Sequence, residues 1–432
     1  MCCPLAGPDG PARRLGGLIA FKGLTMRRKV NVSELVIGMY VAELDKPWEN
    51  SSFLFQGFAI ENDEDLQKLR GECQFVYIDE VQSTPASLKP AAPRAAGGGV
   101  STTITSRSGP SEPTGFKREM KEVVQTQQLA RTNISRVLDE ARLGKTLDTK
   151  ETKGAVTQMV SAVTANPNSM LWLANLRLKH ERTASHCLNS AILCIAFGKH
   201  IGLSEVDLNM LGQGAMLHDI GKVRLPPAIL DKAGALTEAE MQIVRRHPVD
   251  GEAVLKLTRQ LPDKVLEIVR HHHERVDGKG YPDGLAGDAV PLGARIVGMV
   301  DTYDSLTAET PYHAALTPAD ALGVLRTEGA DAYGKDLVQE FIRCLGIYPI
   351  GSLVQCNNGA LAVVVSSTPA SRLKPVIMVI RDERGKETRP RMLLSLATMD
   401  PSLAARWGLK GNVDPKAHSV DLSAIIAEET GT

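Results

Sequence analysis

Five of the ten histidines, His186, His218, His247, His272 and His273, form a sparse series that two aspartates, Asp219 and Asp301, complete. Imidazole and carboxylate together make a transition-metal donor set, suited to iron, manganese, zinc or nickel rather than calcium or magnesium. The gaps between these residues are each about one helix and one turn long. Successive helices would then bring one or two donors apiece to a common centre, as metal sites in helical bundles do. The adjacent pair His218-Asp219 constrains that centre further. Neighbours on a helix point about 100° apart, so both reach one place only off a helix end, or if the site is two cations wide with the carboxylate bridging. Gly221 suits a left-handed position just past the end of a helix over 208–217. Taken alone, any of these side chains reads as a satisfied core residue; the ordered set does not. His271 makes three consecutive histidines, and His271 and His273 cannot both share a face with His272, so one is a bystander. His180, His200, His313 and His418 read as ordinary.

Between the last histidines and Asp301 runs Glu274-Arg275-Val276-Asp277-Gly278-Lys279-Gly280-Tyr281-Pro282-Asp283-Gly284. Its glycines and proline mark an ordered loop rather than a helix. As a binding element, glycine would let a ligand approach the backbone, and Tyr281 would offer a π face to a purine.

The elements that must position these groups follow from periodicity. The sequence predicts a mainly α protein: a helical bundle over 116–345, a small α+β domain over 28–81, and a small β-rich region over 346–432. The helical part shows apolar stripes at Val123, Leu129, Ile134 and Val137, and at Leu188, Ile192 and Ile195. Strand-like runs at 29–32, 39–44 and 74–78 flank a charged helical stretch over 62–70. After Gly346, runs at 353–354, 361–365 and 376–380 alternate with turns at Asn357-Asn358-Gly359 and Glu383-Arg384-Gly385. Residues 1–27 read as a disordered leader or a start placed too early. Residues 82–115, rich in Pro, Ala, Gly and Ser, read as a flexible linker.

A chain of 432 residues with 43% hydrophobic and 23% charged residues is ordinary globular material for two or three domains. A formal net charge of zero gives no field to draw in a nucleic acid polymer. Seven cysteines without CxxC spacing point to a reducing cytoplasm. No apolar stretch approaches a bilayer span.

His218-Asp219-Ile220-Gly221-Lys222, His247, His272-His273-Glu274, Asp277-Gly278, Gly280-Tyr281-Pro282 and Asp301, in that order, resemble the HD-GYP family over residues 170–345. Residues 28–81, with Gly38-Met39-Tyr40 and Pro47-Trp48, resemble a small domain of unknown function often found before such domains. The resemblance implies a cyclic di-GMP phosphodiesterase with iron or manganese as divalent cofactor. It implies His186, His218, Asp219, His247, His272, His273 and Asp301 as metal ligands, with Asp219 bridging, and Lys222 on the scissile phosphate. Asp277, Gly280, Tyr281, Pro282 and Arg295 complete the expected substrate contacts.

Two departures qualify the resemblance. Some relatives hold a third metal through a glutamate four residues before the first histidine; here that position is Arg182 and Glu181 is one place off, so two metals are expected. Basic residues usual after the last aspartate are replaced by Thr310-Pro311-Tyr312-His313-Ala314. Each lost charge-assisted phosphate contact costs about 1.5–3 kcal/mol unless Arg275, Lys279 or Arg295 compensates. The expected reaction is in-line attack on phosphorus by a hydroxide held between two cations, giving linear pGpG and then GMP. Competing readings are a silent or weak cyclic di-GMP-responsive interaction module, and a hydrolase of another nucleotide such as guanosine tetraphosphate or a mixed cyclic dinucleotide. Protein partners at the N-terminal domain, and a homodimer, are further expectations.

Overall fold

The computed structural model describes residues 27–45, 58–60, 63–79, 113–145, 147, 149–174, 182–230, 232, 234–257, 261–309, 314–368 and 371–430. The expected leader up to residue 26, most of the expected linker, His180, Glu181 and residues 310–313 lie outside them. The chain divides into two compact units, Pro8–Arg107 and a second that holds Ser108–Thr432.

The first unit contains β1 (Arg27–Asn31), β2 (Tyr40–Leu44), β3 (Phe58–Ala59), α1 (Asp63–Glu72) and β4 (Phe75–Asp79). Its antiparallel sheet has the order β1-β4-β2-β3. Alternation selects the inner face: Val30, Val41, Val76 and Ile78 are buried with Leu66 and Leu69 of α1. The two-residue strand β3 went unforeseen because it is too short to show a period.

In the second unit, α2 (Pro113–Arg142), α3 (Thr149–Ala165), α4 (Pro167–Ala174), α5 (Arg182–His200) and α6 (Glu205–Leu217) lead to a 3-10 turn, Ile220–Arg224. Then come α7 (Pro227–Leu230), α8 (Glu238–Val244), α9 (His247–Lys256), α10 (Asp263–His271), α11 (Leu292–Thr307), α12 (Pro318–Val324), α13 (Ala330–Tyr333) and α14 (Lys335–Leu345). Helix α5 is the hub, with Cys187, Leu188, Ala191, Ile192, Cys194, Ile195 and Phe197 all buried. Its apolar residues cover nearly its whole circumference, so neighbours pack on every side. The stripe on α2 differs from the expected one. Val123, Ala130, Ile134 and Val137 are buried while Leu129 is 52% exposed, because Ala130 rather than Leu129 falls in register with Ile134 and Val137 on a 3.6-residue repeat. Helix α2 also starts inside the stretch expected to be linker.

The C-terminal sheet contains β5 (Leu353–Cys356), β6 (Leu361–Ser366), β7 (Val376–Arg381) and β8 (Glu387–Ser395), followed by α15 (Pro401–Trp407), β9 (Leu409–Asn412) and α16 (Leu422–Thr430). Strand order is β8-β7-β6-β5-β9, all neighbours antiparallel. Its inner residues Val354, Ala362, Val363, Val364, Ile377 and Val379 are continuous with the core of the helices. Helix α4 packs on β6 and α16 on α2, so the sheet and the helices share one interior.

Candidate metal centre

The seven expected donors come from five helices, mostly at their ends. His218 caps the C-terminus of α6, and Asp219 opens the 3-10 turn that follows. His247 is the first residue of α9, and His272 caps α10 with His273 next. His186 sits on α5 and Asp301 on α11. Three of the imidazoles are aimed by the same device. Nδ1 of His218 lies 2.7 Å from the Ala215 carbonyl, Nδ1 of His247 2.8 Å from that of Val244, and Nδ1 of His272 2.8 Å from that of Val269. A carbonyl only accepts, so each Nδ1 carries the proton and donates it, and each Nε2 is left with a lone pair.

Those lone pairs converge. His247 Nε2 and His272 Nε2 stand 3.2 Å apart. Two acceptors at that distance repel, whereas two ligands at right angles on one cation, each about 2.1 Å from it, are roughly 3 Å apart. Asp219 divides its carboxylate: Oδ1 is 3.4 Å from His247 Nε2, while Oδ2 is 3.6 Å from His218 Nε2 and 3.8 Å from His186 Nε2. Asp301 Oδ1 is 3.0 Å from His186 Nε2 and 3.9 Å from His218 Nε2. Three sets of donors therefore lie close enough to hold a cation: His247, His272 and His273; His186, His218 and Asp301; and His218, Asp219 and His272. His218 Nε2, His273 Nε2 and Asp219 Oδ1 are buried without a hydrogen-bond partner. Buried polar atoms seldom stay so, and these are the atoms a cation would bind, so the donor set fits divalent metal.

Two glycines let the ends meet. A Cβ on Gly221 would fall 2.0 Å from the His247 carbonyl oxygen, and one on Gly298 would fall 2.2 Å from that of His272. Gly221 thus lies within the 3-10 turn rather than in the expected left-handed cap; close backbone approach, not positive φ, is what demands glycine there.

The HD domain family matches residues 170–337, and the domain of unknown function DUF3391 matches residues 27–152. Over 374 residues, 86% of this chain and 89% of the relative, the chain is 31% identical to "Cyclic di-GMP phosphodiesterase PA4108" of Pseudomonas aeruginosa. The chain belongs to the HD-GYP family. It is also 39% identical over 146 residues to the "Cyclic di-GMP phosphodiesterase response regulator RpfG" of Xanthomonas campestris, covering 34% of this chain and 39% of that one. Over 173 residues it is 36% identical to "3'3'-cGAMP-specific phosphodiesterase 3" of Vibrio cholerae, covering 40% and 37%. No described helix is long and apolar enough to cross a membrane.

The HD-GYP loop is held by contacts within the chain. Tyr281 stacks on His273, with ring centroids 4.7 Å apart and planes at 24°, and the Arg245 guanidinium lies over its ring at 5.9 Å. The tyrosine ring thus supports the imidazole of His273. Gly280 is pressed to the chain itself: a Cβ there would meet Arg275 N at 2.4 Å and Glu274 Cα at 2.5 Å. Asp277 turns to Arg275 and to the Lys279 backbone N–H, so its carboxylate shapes the loop. Tyr281-Pro282 is a cis peptide. Arg295 lies beside Gly334, its Nη1 4.0 Å from where a Cβ there would stand. It shares a face of α11 with Thr302, seven residues on, rather than with Asp301. Lys222 Nζ is 2.5 Å from Asp219 Oδ2. His271 is the bystander of the triplet, 3.0 Å from Asp283. His200 pairs with Glu340.

The sequence reading missed Asp304 and gave Glu274 no role. Asp304 accepts from His186 Nδ1 at 2.7 Å, the carboxylate–imidazole pairing that orients metal ligands; its i+3 spacing from Asp301 was the available signal. Glu274 is fully buried and accepts the backbone N–H groups of Asp283, Gly284 and Leu285 at 2.6, 3.0 and 2.9 Å, closing the loop on the site.

Charge follows from this arrangement. Burial works against ionised Asp219, but Lys222 and the imidazoles hold its carboxyl well below the usual range. Burial likewise opposes ionised Asp301, and His186 above all outweighs it. Burial keeps His218, His247 and His272 neutral, and takes His273 down to about 4. Burial also opposes protonation of His186, yet hydrogen bonds with Asp301 and Asp304 raise it to about 9.

Proposed function

We propose that this protein hydrolyses cyclic di-GMP to linear pGpG at a dinuclear centre formed by His186, His218, Asp219, His247, His272, His273 and Asp301. The observation that carries the reading is the divided carboxylate of Asp219, with one oxygen toward His247 and the other toward His186 and His218. The names of the relatives, cyclic di-GMP phosphodiesterases among them, support the substrate. The N-terminal unit is assigned to protein partners, and iron or manganese to the centre, since imidazole with carboxylate favours such ions.

Two divalent cations, when bound, supply Lewis acidity to the phosphoryl oxygens and lower the pKa of water at the site. The protein's own part is positional. Four neutral imidazoles present lone pairs without first losing a proton, and ionised Asp219 and Asp301 offset the cationic charge. Lys222, on the 3-10 turn beside Asp219, is assigned to a non-bridging phosphate oxygen.

A second substrate is favoured by one observation, the 36% identity to the Vibrio cholerae 3'3'-cGAMP-specific enzyme. Product analysis with purified protein carrying iron or manganese, given cyclic di-GMP and 3'3'-cGAMP in parallel, tests both. Linear pGpG is expected; protein with confirmed metal loading that leaves cyclic di-GMP intact overturns the proposal.

A further inference from the structure

His186 is held differently from the other metal-facing histidines. His218, His247 and His272 are each oriented by a carbonyl three residues earlier on their own chain and are fully buried. His186 Nδ1 reaches instead to Asp304 on another helix, 118 residues away, and 17% of its side chain is exposed. Its placement therefore depends on where the first turns of α5 are fixed.

That fixing comes from α2. Arg131 Nη2 donates to Ser185 Oγ at 2.9 Å, across 54 residues, at the position immediately before His186. Helix α2 packs along α5 and against the 3-10 turn that carries Lys222. Ala130 and Ile134, flanking Arg131 on α2, are buried in the shared core, so the arginine stands on a rigid base. The DUF3391 match runs through residue 152 and so includes all of α2, although α2 belongs to the compact unit that holds the metal centre.

We propose that Arg131 is a positioning residue for one half of the dinuclear centre. By holding Ser185 it sets His186, and with it the cation shared by His186, His218 and Asp301, while the half formed by His247, His272 and His273 is independent of it. The helix that the N-terminal family contributes would thereby tune the affinity of one metal and not the other. This rests on the dinuclear reading above.

Titration of metal-free protein with Mn(II), followed by electron paramagnetic resonance and elemental analysis, tests it. Wild-type protein should take two ions. Arg131→Ala should keep one at unchanged affinity and bind the other about tenfold more weakly, the lower end of what outer partners of metal ligands cost when removed. Ser185→Ala, a mild change that leaves α2 untouched, should give the same selective loss. The double variant should lose no more of that ion's affinity than Arg131→Ala alone, because Ser185 acts through the arginine. Wild-type protein that takes fewer than two ions overturns the dinuclear reading. Wild-type protein with two ions, and Ser185→Ala that either binds both as tightly or weakens both equally, overturns the role of Arg131 alone.

Discussion

The Lys222 ammonium and the Asp219 carboxylate meet at 2.5 Å on Oδ2, the oxygen that also faces His186 and His218. The carboxylate proposed to bridge the two halves thus also holds Lys222. Asp219→Ala should remove both metal ions and all turnover. Lys222→Met should keep both ions and lower kcat by about 10²–10³-fold, the cost of deleting one donor from a developing charge. Elemental analysis beside single-turnover kinetics separates the two, and metal loss in Lys222→Met would place the lysine in the centre's structure instead.

His186 gives the metal-free protein a pH dependence. Its folded pKa, about 9, lies above its ordinary 6.5, so the folded state holds the proton more tightly. The pairing with Asp301 and Asp304 stabilises fully below pH 6.5 and is lost as pH rises through about 9. Thermal denaturation of chelator-treated protein should show Tm falling across that window, and Asp304→Asn should flatten the fall. Because a cation at His186 must displace that proton, metal affinity should climb with pH over the same range.

Gly221 and Gly298 should resist any side chain. Their added Cβ atoms would strike the carbonyl oxygens of His247 and His272, and backbone cannot yield as a side chain does, so each alanine variant should lose at least about 3 kcal/mol. Gly154, exposed within α3 with nothing within 4 Å of its Cβ position, is the control: Gly154→Ala should gain about 0.5–1 kcal/mol from helix propensity. Urea unfolding of the three variants checks the contrast.

Glu274 should govern the loop rather than the metal. Glu274→Ala leaves three backbone N–H groups without their carboxylate, at a cost of about 1–3 kcal/mol for each buried group left unpaired. Amide exchange at Asp283, Gly284 and Leu285 should accelerate while two ions are still bound. Unchanged protection at those three amides would show that the loop is closed by other contacts.

The clustering of the expected donors was legible because histidine is rare: five of ten recur in an ordered series with two aspartates along successive helices. Asp304 was not legible, since an aspartate on a helix is common and only the position of His186 gives it a task. The helical and strand types followed from periodicity, yet register was lost where it rested on one residue, as with Leu129 against Ala130. The contacts that Tyr281, Gly280 and Asp277 make within the chain were not foreseen, because a loop's composition announces order but not the face it turns to a neighbour. Strand β9 and helices α15 and α16 gave too little alternation to be seen ahead of their packing.

The continuity of the C-terminal sheet with the helical interior has a practical consequence for anyone trimming the gene. Ending the chain near residue 337, where the HD match stops, would strip α4 of its β6 contact and α2 of α16, and would remove the sheet's share of the common apolar core. A minimal catalytic fragment therefore has to run on through α16, even though none of the expected donors lies beyond Asp301.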